Sequence, residues 1–192
     1  ANDEDGSNYE KAVRTIAVKA RYAQNIAVSK DKVYLDYKSG AKKSIGARTR
    51  GGAKLTYSSS NPKVLAVSVD GKLTMKGAGK AVITIKAVDN GQYEQKIKKV
   101  TYYVRPVAKS VKVWQLTTGT TITVKNPTPD STLIVRVYSS SSKKKLYTTR
   151  TKAVKNSKKV EIKTKPYRGM YKCYIEVSLK KNGVESKKYI DR

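Results

Sequence analysis

Hydrophobic and polar positions alternate with a period of two along much of this chain. Ala81, Ile83, Ile85 and Ala87 share one side of their segment, while Thr84 and Lys86 take the other. That is the pattern of a strand with one face buried and one wet. Over residues 54–88 the chain reads KLTYSSSNPKVLAVSVDGKLTMKGAGKAVITIKAV, in which short β-rich runs are cut by Ser-Asn-Pro, Asp-Gly and Gly-Ala-Gly turns. Strands are predicted at 33–35, 54–57, 64–69, 73–75, 81–87 and 96–104, with Asp70-Gly71 as a two-residue hairpin. Gly71 supplies the positive φ of a type I′ turn, Pro62 stiffens its turn, and Gly77 and Gly79 let the chain bend sharply. Residues 9–23 are the exception. Tyr9, Val13, Ile16, Ala17 and Ala20 have helical spacing, yet residues 13–18 alternate as a strand would. A short N-terminal helix and a strand both remain open there.

The order of these elements resembles the bacterial immunoglobulin-like group 2 domain. Tyr57, Ser59, Ser60, Asn61 and Pro62 lead to Val64 and Val67; then come Gly71, Leu73 and Thr74, then Gly77, Gly79, Ile83 and Thr84. The resemblance covers residues 24–104 and departs at Tyr57, where the family commonly has Trp. It implies a β-sandwich that acts as a spacer or adhesive module on exported bacterial proteins. The motif residues, including Ser60 and Asn61, are structural by that resemblance, and none is catalytic.

Alternation resumes in the second half. Leu133, Val135 and Val137 oppose Ile134, Arg136 and Tyr138; Val160 and Ile162 oppose Lys159, Glu161 and Lys163; Tyr171, Cys173, Ile175, Val177 and Leu179 oppose Lys172, Tyr174, Glu176 and Lys180. Turns at 126–130, 139–142, 165–169 and 182–183 separate about seven strands, and the closing stretch loosely resembles a fibronectin type III hairpin. The predicted fold is therefore all-β, two consecutive immunoglobulin-like β-sandwiches, with a flexible tail at 1–8 and domains at 9–104 and 105–192. Pro106 marks the boundary, since proline cannot continue a ladder inside a sheet.

Composition narrows the chemistry. There is no histidine and one cysteine, so Ser-His and Cys-His nucleophiles and zinc sites are excluded, and no disulfide holds either core. Cys173 sits on an inward position and reads as an inert buried thiol. Asp3, Glu4 and Asp5 lack the spacing and closing Glu of a calcium loop. Gly77-Ala78-Gly79-Lys80 has Thr74 and Ala81 where a phosphate loop needs Gly and Ser or Thr. Glu161 and Glu176 are the carboxylate pair to weigh for glycoside cleavage if their strands are neighbours, and no Lys-Asn-acid trio singles itself out for an isopeptide crosslink. No enzyme activity, metal or cofactor is expected. No apolar run approaches the ~20 residues of a membrane span. The first residues carry no leader, as expected if a signal peptide has been removed from an exported protein.

Charge is the second strong signal. The 192 residues hold 42 Lys and Arg against 14 Asp and Glu, a net +28, and lysine outnumbers arginine 33 to 9. Lysines are point charges suited to diffuse polyanions, whereas Arg reads phosphate bidentately. Lys143, Lys144, Lys145, Lys155, Lys158 and Lys159 form the densest local supply and are the candidate polyanion-binding residues. The partners this favours are anionic cell-wall or host glycans. Nucleic acid is disfavoured, because no DNA- or RNA-recognition signature accompanies the charge, though a basic nucleic-acid binder and an accessory module of a larger secreted enzyme remain the alternative readings. Lysines that merely decorate solvent faces and strand edges would look the same. Trp114 and the pair Tyr102-Tyr103 are candidate sugar-stacking aromatics, against an ordinary role as core fillers.

Overall fold

The computed structural model describes residues 16, 17, 19–116, 118–139, 145–165 and 173–191. Among these there are strands and turns but no helix. In the first half the strands are β1 (Ile26–Ala27), β2 (Lys32–Asp36), β3 (Lys42–Ser44), β4 (Arg48–Thr49), β5 (Leu55–Ser59), β6 (Leu65–Val67), β7 (Lys72–Met75), β8 (Gly79–Ala87) and β9 (Lys96–Arg105). In the second they are β10 (Ser110–Leu116), β11 (Gly119–Lys125), β12 (Ser131–Tyr138), β13 (Leu146–Val154), β14 (Lys159–Thr164), β15 (Tyr174–Lys181), β16 (Val184–Glu185) and β17 (Tyr189–Asp191).

Two sheet pairs result. A sheet ordered β2-β9-β8-β5 faces a sheet ordered β3-β7-β6, with β1 and β4 as a small ribbon beside them. Between them lies one core that includes Ile83, Ile85, Val100 and Val104 from one side and Leu65, Leu73 and Met75 from the other. The second pair sets β10-β11-β14 against β13-β12-β15-β16, with β17 also on β15. Its separate core joins Ile122, Val124, Val160 and Ile162 to Leu133, Val135, Val137, Ile175, Val177 and Leu179. The fold is thus all-β, with consecutive sandwiches, as the alternation predicts. Each fully buried Ile or Leu contributes about 1.5–3 kcal/mol by leaving water, which lets cores without a disulfide hold.

Several details differ from the expectation. The helix-or-strand segment falls largely outside the described residues: 9–15 and 18 are not among them, and in the remainder only Tyr22 pairs, through a bridge to Tyr93. The second half carries eight described strands rather than seven, because β13 has no clear alternation to announce it. The Asp70-Gly71 turn is not type I′, since that turn needs two residues at positive φ and only Gly71 has it, at 75°. The Gly71 amide donates to the Ser68 carbonyl (3.0 Å) and the Ser68 amide to the Lys72 carbonyl (2.9 Å), the pattern of a three-residue loop closed by one left-handed residue. The type I′ pair sits instead at Asn182 and Gly183, with φ of 48° and 77°, between β15 and β16.

Chain segments from both sandwiches meet around β9. The Asn182 side-chain Nδ2 donates to the Ala78 carbonyl (3.0 Å), and Lys187 pairs with Asp36 (3.2 Å), which also accepts from Arg105 (2.9 Å). Pro106 is buried. On one side of it the Tyr37 amide donates to the Arg105 carbonyl (2.9 Å), and on the other Thr128 exchanges bonds with Val107.

Candidate polyanion-binding faces

The motif residues hold the first sandwich together. Ser59 Oγ donates to the Leu65 carbonyl (2.6 Å) and accepts from the Asn61 amide (3.2 Å), so the turn before β6 is locked by one hydroxyl. Ser60 Oγ accepts from the Val82 amide (2.8 Å), and the Asn61 carbonyl accepts from the Val64 and Leu65 amides. Pro62 is exposed at the turn's corner. A side chain at Gly77 would meet the Lys63 carbonyl oxygen at 2.9 Å, and one at Gly79 would meet Val64 at 2.9 Å. Tyr57 is half-buried, and its hydroxyl is pushed up, first by burial and then by the nearby charge of Asp70.

The outward residues of β2, β9 and β8 form one aromatic and basic surface. Register places Tyr34 beside Tyr103 and Tyr103 beside Lys80. The two rings stack, with centroids 4.9 Å apart and planes 14° from parallel. Arg105 lies 5.7 Å from the Tyr34 ring and Lys80 lies 5.9 Å from that of Tyr103. Of the tyrosine pair raised from the sequence, Tyr102 points inward and is buried, while Tyr103 points outward.

A second such surface covers the solvent side of β10, β11 and β14. Val111 and Val113 turn toward the core, so Lys112, Trp114 and Leu116 turn away from it. The register sets Trp114 across from Thr121 and Thr121 across from Lys163; the next rows are Lys112-Thr123-Glu161 and Ser110-Lys125-Lys159. Trp114 is 58% exposed and Leu116 65%. Beside them a shallow groove of about 420 Å³ is lined by Leu116, Thr118, Thr121, Lys163 and Lys165 among others. Glu161 is the acid on this face, and it is already engaged by Lys159 (3.2 Å) and Lys163 (3.9 Å). The chain's sole tryptophan thus lies open to solvent beside Thr121, with Lys112 and Leu116 on its own strand and Lys163 two strands away.

The lysines singled out by local density do not converge. Lys143 and Lys144 lie outside the described residues. Lys145 precedes β13 and Lys155 follows it, and nine residues of extended chain separate them by roughly 30 Å. Lys155, Lys158 and Lys159 do gather at the turn between β13 and β14, all exposed. Lys158 also borders a groove of about 350 Å³ with Tyr37, Asn126 and Pro127. What density along the sequence missed is the face-sharing of Lys112, Lys125, Lys159 and Lys163, which only strand register reveals.

Other candidates resolve simply. Cys173 is buried in the second core, and burial pushes its thiol up. Glu161 and Glu176 belong to different sheets, so the carboxylate pair is not assembled. Glu176 is fully buried, bonded to Tyr138 (3.3 Å) and Lys188 (2.8 Å). No cluster of three metal-ligating side chains occurs among the described residues, and no described helix is long and apolar enough to cross a membrane.

Residues 42–89 match the family model for the intimin immunoglobulin-like domain, so this part of the chain is similar to a bacterial immunoglobulin-like module. A search of curated proteins returns no match. Among solved structures the chain is similar to latent PorU of Porphyromonas gingivalis, at 12% identity and a TM-score of 0.37 over 87% of this chain and 20% of that one. Titin domains A168–A170 give 14% identity and a TM-score of 0.32 over 88% of this chain and 64% of theirs. The CD2-binding domain of CD58 gives 10% and 0.37 over 83% and 95%.

Proposed function

We propose that this chain is a non-catalytic module of an exported bacterial surface or cell-wall-associated protein, and that it adheres to anionic glycans through the solvent face of β10, β11 and β14. The carrying observation is Trp114. Burying an indole contributes more than burying almost any other side chain, yet here it is held out on the face that also carries Lys112, Lys125, Lys159 and Lys163. A flat ring stacks on the face of a sugar while flanking ammonium groups meet its acidic substituents. The net +28 supplies long-range attraction to the same polymers. The intimin-like match at 42–89 supports a surface role, and the two separate cores support domains at 9–104 and 105–192 meeting near Pro106.

The test is binding of the chain and of Trp114→Ala to a sulfated glycan, teichoic acid and DNA at about 50 and about 200 mM salt, where purely electrostatic attachment fades steeply. One glycan is expected to remain bound at the higher salt. Trp114→Ala should weaken that residual binding by about tenfold, or about 1.4 kcal/mol. Because Trp114 supports no core, its urea midpoint should barely move. Unchanged binding by the variant would refute the platform, and salt-resistant binding of DNA alone would favour a nucleic-acid role.

A further inference from the structure

A separate groove opens at the seam of the first sandwich, where the edge strand β2 passes β3. It encloses about 340 Å³, with Val33, Ile45 and Tyr102 at its base and Ser29, Lys30, Lys32, Lys43, Ser44 and Tyr34 around it. Lys30, Lys32 and Lys43 are all exposed and, among the described residues, none makes an ion pair. The neighbouring acids are already matched: Asp31 holds Lys98 (2.8 Å), and Asp36 holds Arg105 and Lys187. Three like charges around one groove repel each other, and an anion bridging them relieves that cost.

We propose that this groove is a site for a sulfate or phosphate group carried on a glycan or polyol chain. Three ammonium groups and two serine hydroxyls supply more donors, from more directions, than a planar carboxylate accepts, whereas a tetrahedral oxyanion presents oxygens to several at once. Tyr34, stacked on Tyr103, adds its hydroxyl to the rim. This site lies on the other sandwich from Trp114 and extends the glycan reading by naming the substituent recognised.

The experiment compares Lys30→Gln/Lys32→Gln/Lys43→Gln with Lys54→Gln/Lys63→Gln/Lys76→Gln, which removes the same charge from exposed positions away from the groove. Probes are a sulfated glycan, teichoic acid and a polyuronate, each at about 200 mM salt. The groove variant is expected to lose about tenfold or more in affinity for the sulfated or phosphate-bearing probe, with a shallower salt dependence of roughly 0.7 per lost contact, as for a single-stranded polyanion. The distant variant and the polyuronate arm should change little. Loss confined to one probe identifies sulfate or phosphate as the source. Equal weakening by both variants, no weakening by either, or equal loss toward the polyuronate overturns the proposal. Urea midpoints of both variants check folding, and Lys30→Gln alone serves if the triple variant is destabilised. Running Trp114→Ala in parallel separates the two sites: loss in one variant without loss in the other leaves that site standing and removes its counterpart.

Discussion

At Gly71 the backbone is left-handed and Tyr57 leaves no room, since an added Cβ would meet the Tyr57 ring at 2.8 Å. The surrounding turn is fastened by side chains rather than by a two-residue reversal. Ser68 Oγ accepts the Lys72 amide (3.0 Å) and donates to the Asp70 carboxylate, which also holds Lys72 (2.8 Å). Lys72 first, then Ser68, keep Asp70 charged with a pKa held down to about 2. Gly71→Ala combines backbone strain with a clash and is expected to cost more than about 1 kcal/mol in urea unfolding. A variant as stable as its parent would contradict this reading of the turn. The dipeptide Asp70-Gly71 announces a turn in sequence but not its type, because Ser68 decides the geometry from two residues away.

Among elements, β13 is the sheet edge with most to hide. It runs nine residues and, apart from half-buried Thr148, stays exposed until Val154. Register with β12 puts Arg150 beside Val135 and Lys152 beside Leu133, positions whose β12 partners face the core. Lys152 instead reaches out to the Glu161 carbonyl (2.7 Å). Inward-pointing charge on an edge strand discourages pairing with another chain. Lys152→Val is therefore expected to leave the chain folded while increasing its self-association, read by light scattering at rising concentration; a variant that associates no more than its parent would contradict this. The same strand shows where sequence patterns stop being legible. In β8 and β12 the apolar positions that alternate are the ones in the cores. In β13 two of the inward positions, Arg150 and Lys152, carry charge, so alternation vanishes. On β15, Glu176 and Ser178 occupy positions that read as wet, yet both are fully buried. The returning segment supplies their partners, Glu185 bonding Ser178 (2.6 Å) and Lys188 bonding Glu176, contacts that a period-two pattern does not encode. The sequence names Trp114 but not its exposure, and it does not gather the groove lysines, for the same reason: which side of a strand meets water is settled by what packs on the other.

At the scale of the whole molecule, positive charge dominates and the few acids act mainly as fasteners. Glu185 is held below the usual carboxylate range, first by its hydrogen bond from Arg136 (2.7 Å) and then by Ser178, with burial opposing. A depressed carboxyl contributes stability above its unfolded pKa, near 4.5, and loses it as pH falls through the lower folded value. Acid also removes the negative charges that offset the lysines. Urea midpoints are expected to stay level from pH 7 to about 5 and to decline below about 4.5, with a smaller decline in Glu185→Gln. A midpoint that rises on acidification would contradict the sign of this linkage.

The glycan-binding reading is tested most directly by the emission of Trp114, since a chain with one tryptophan carries its own reporter at the proposed face. Titrating in a sulfated glycan or teichoic acid at about 200 mM salt, where diffuse attraction is largely screened, is expected to shift or quench that emission in step with binding. Binding of polymer with the Trp114 spectrum unmoved would place the contact elsewhere and contradict the assignment of this face.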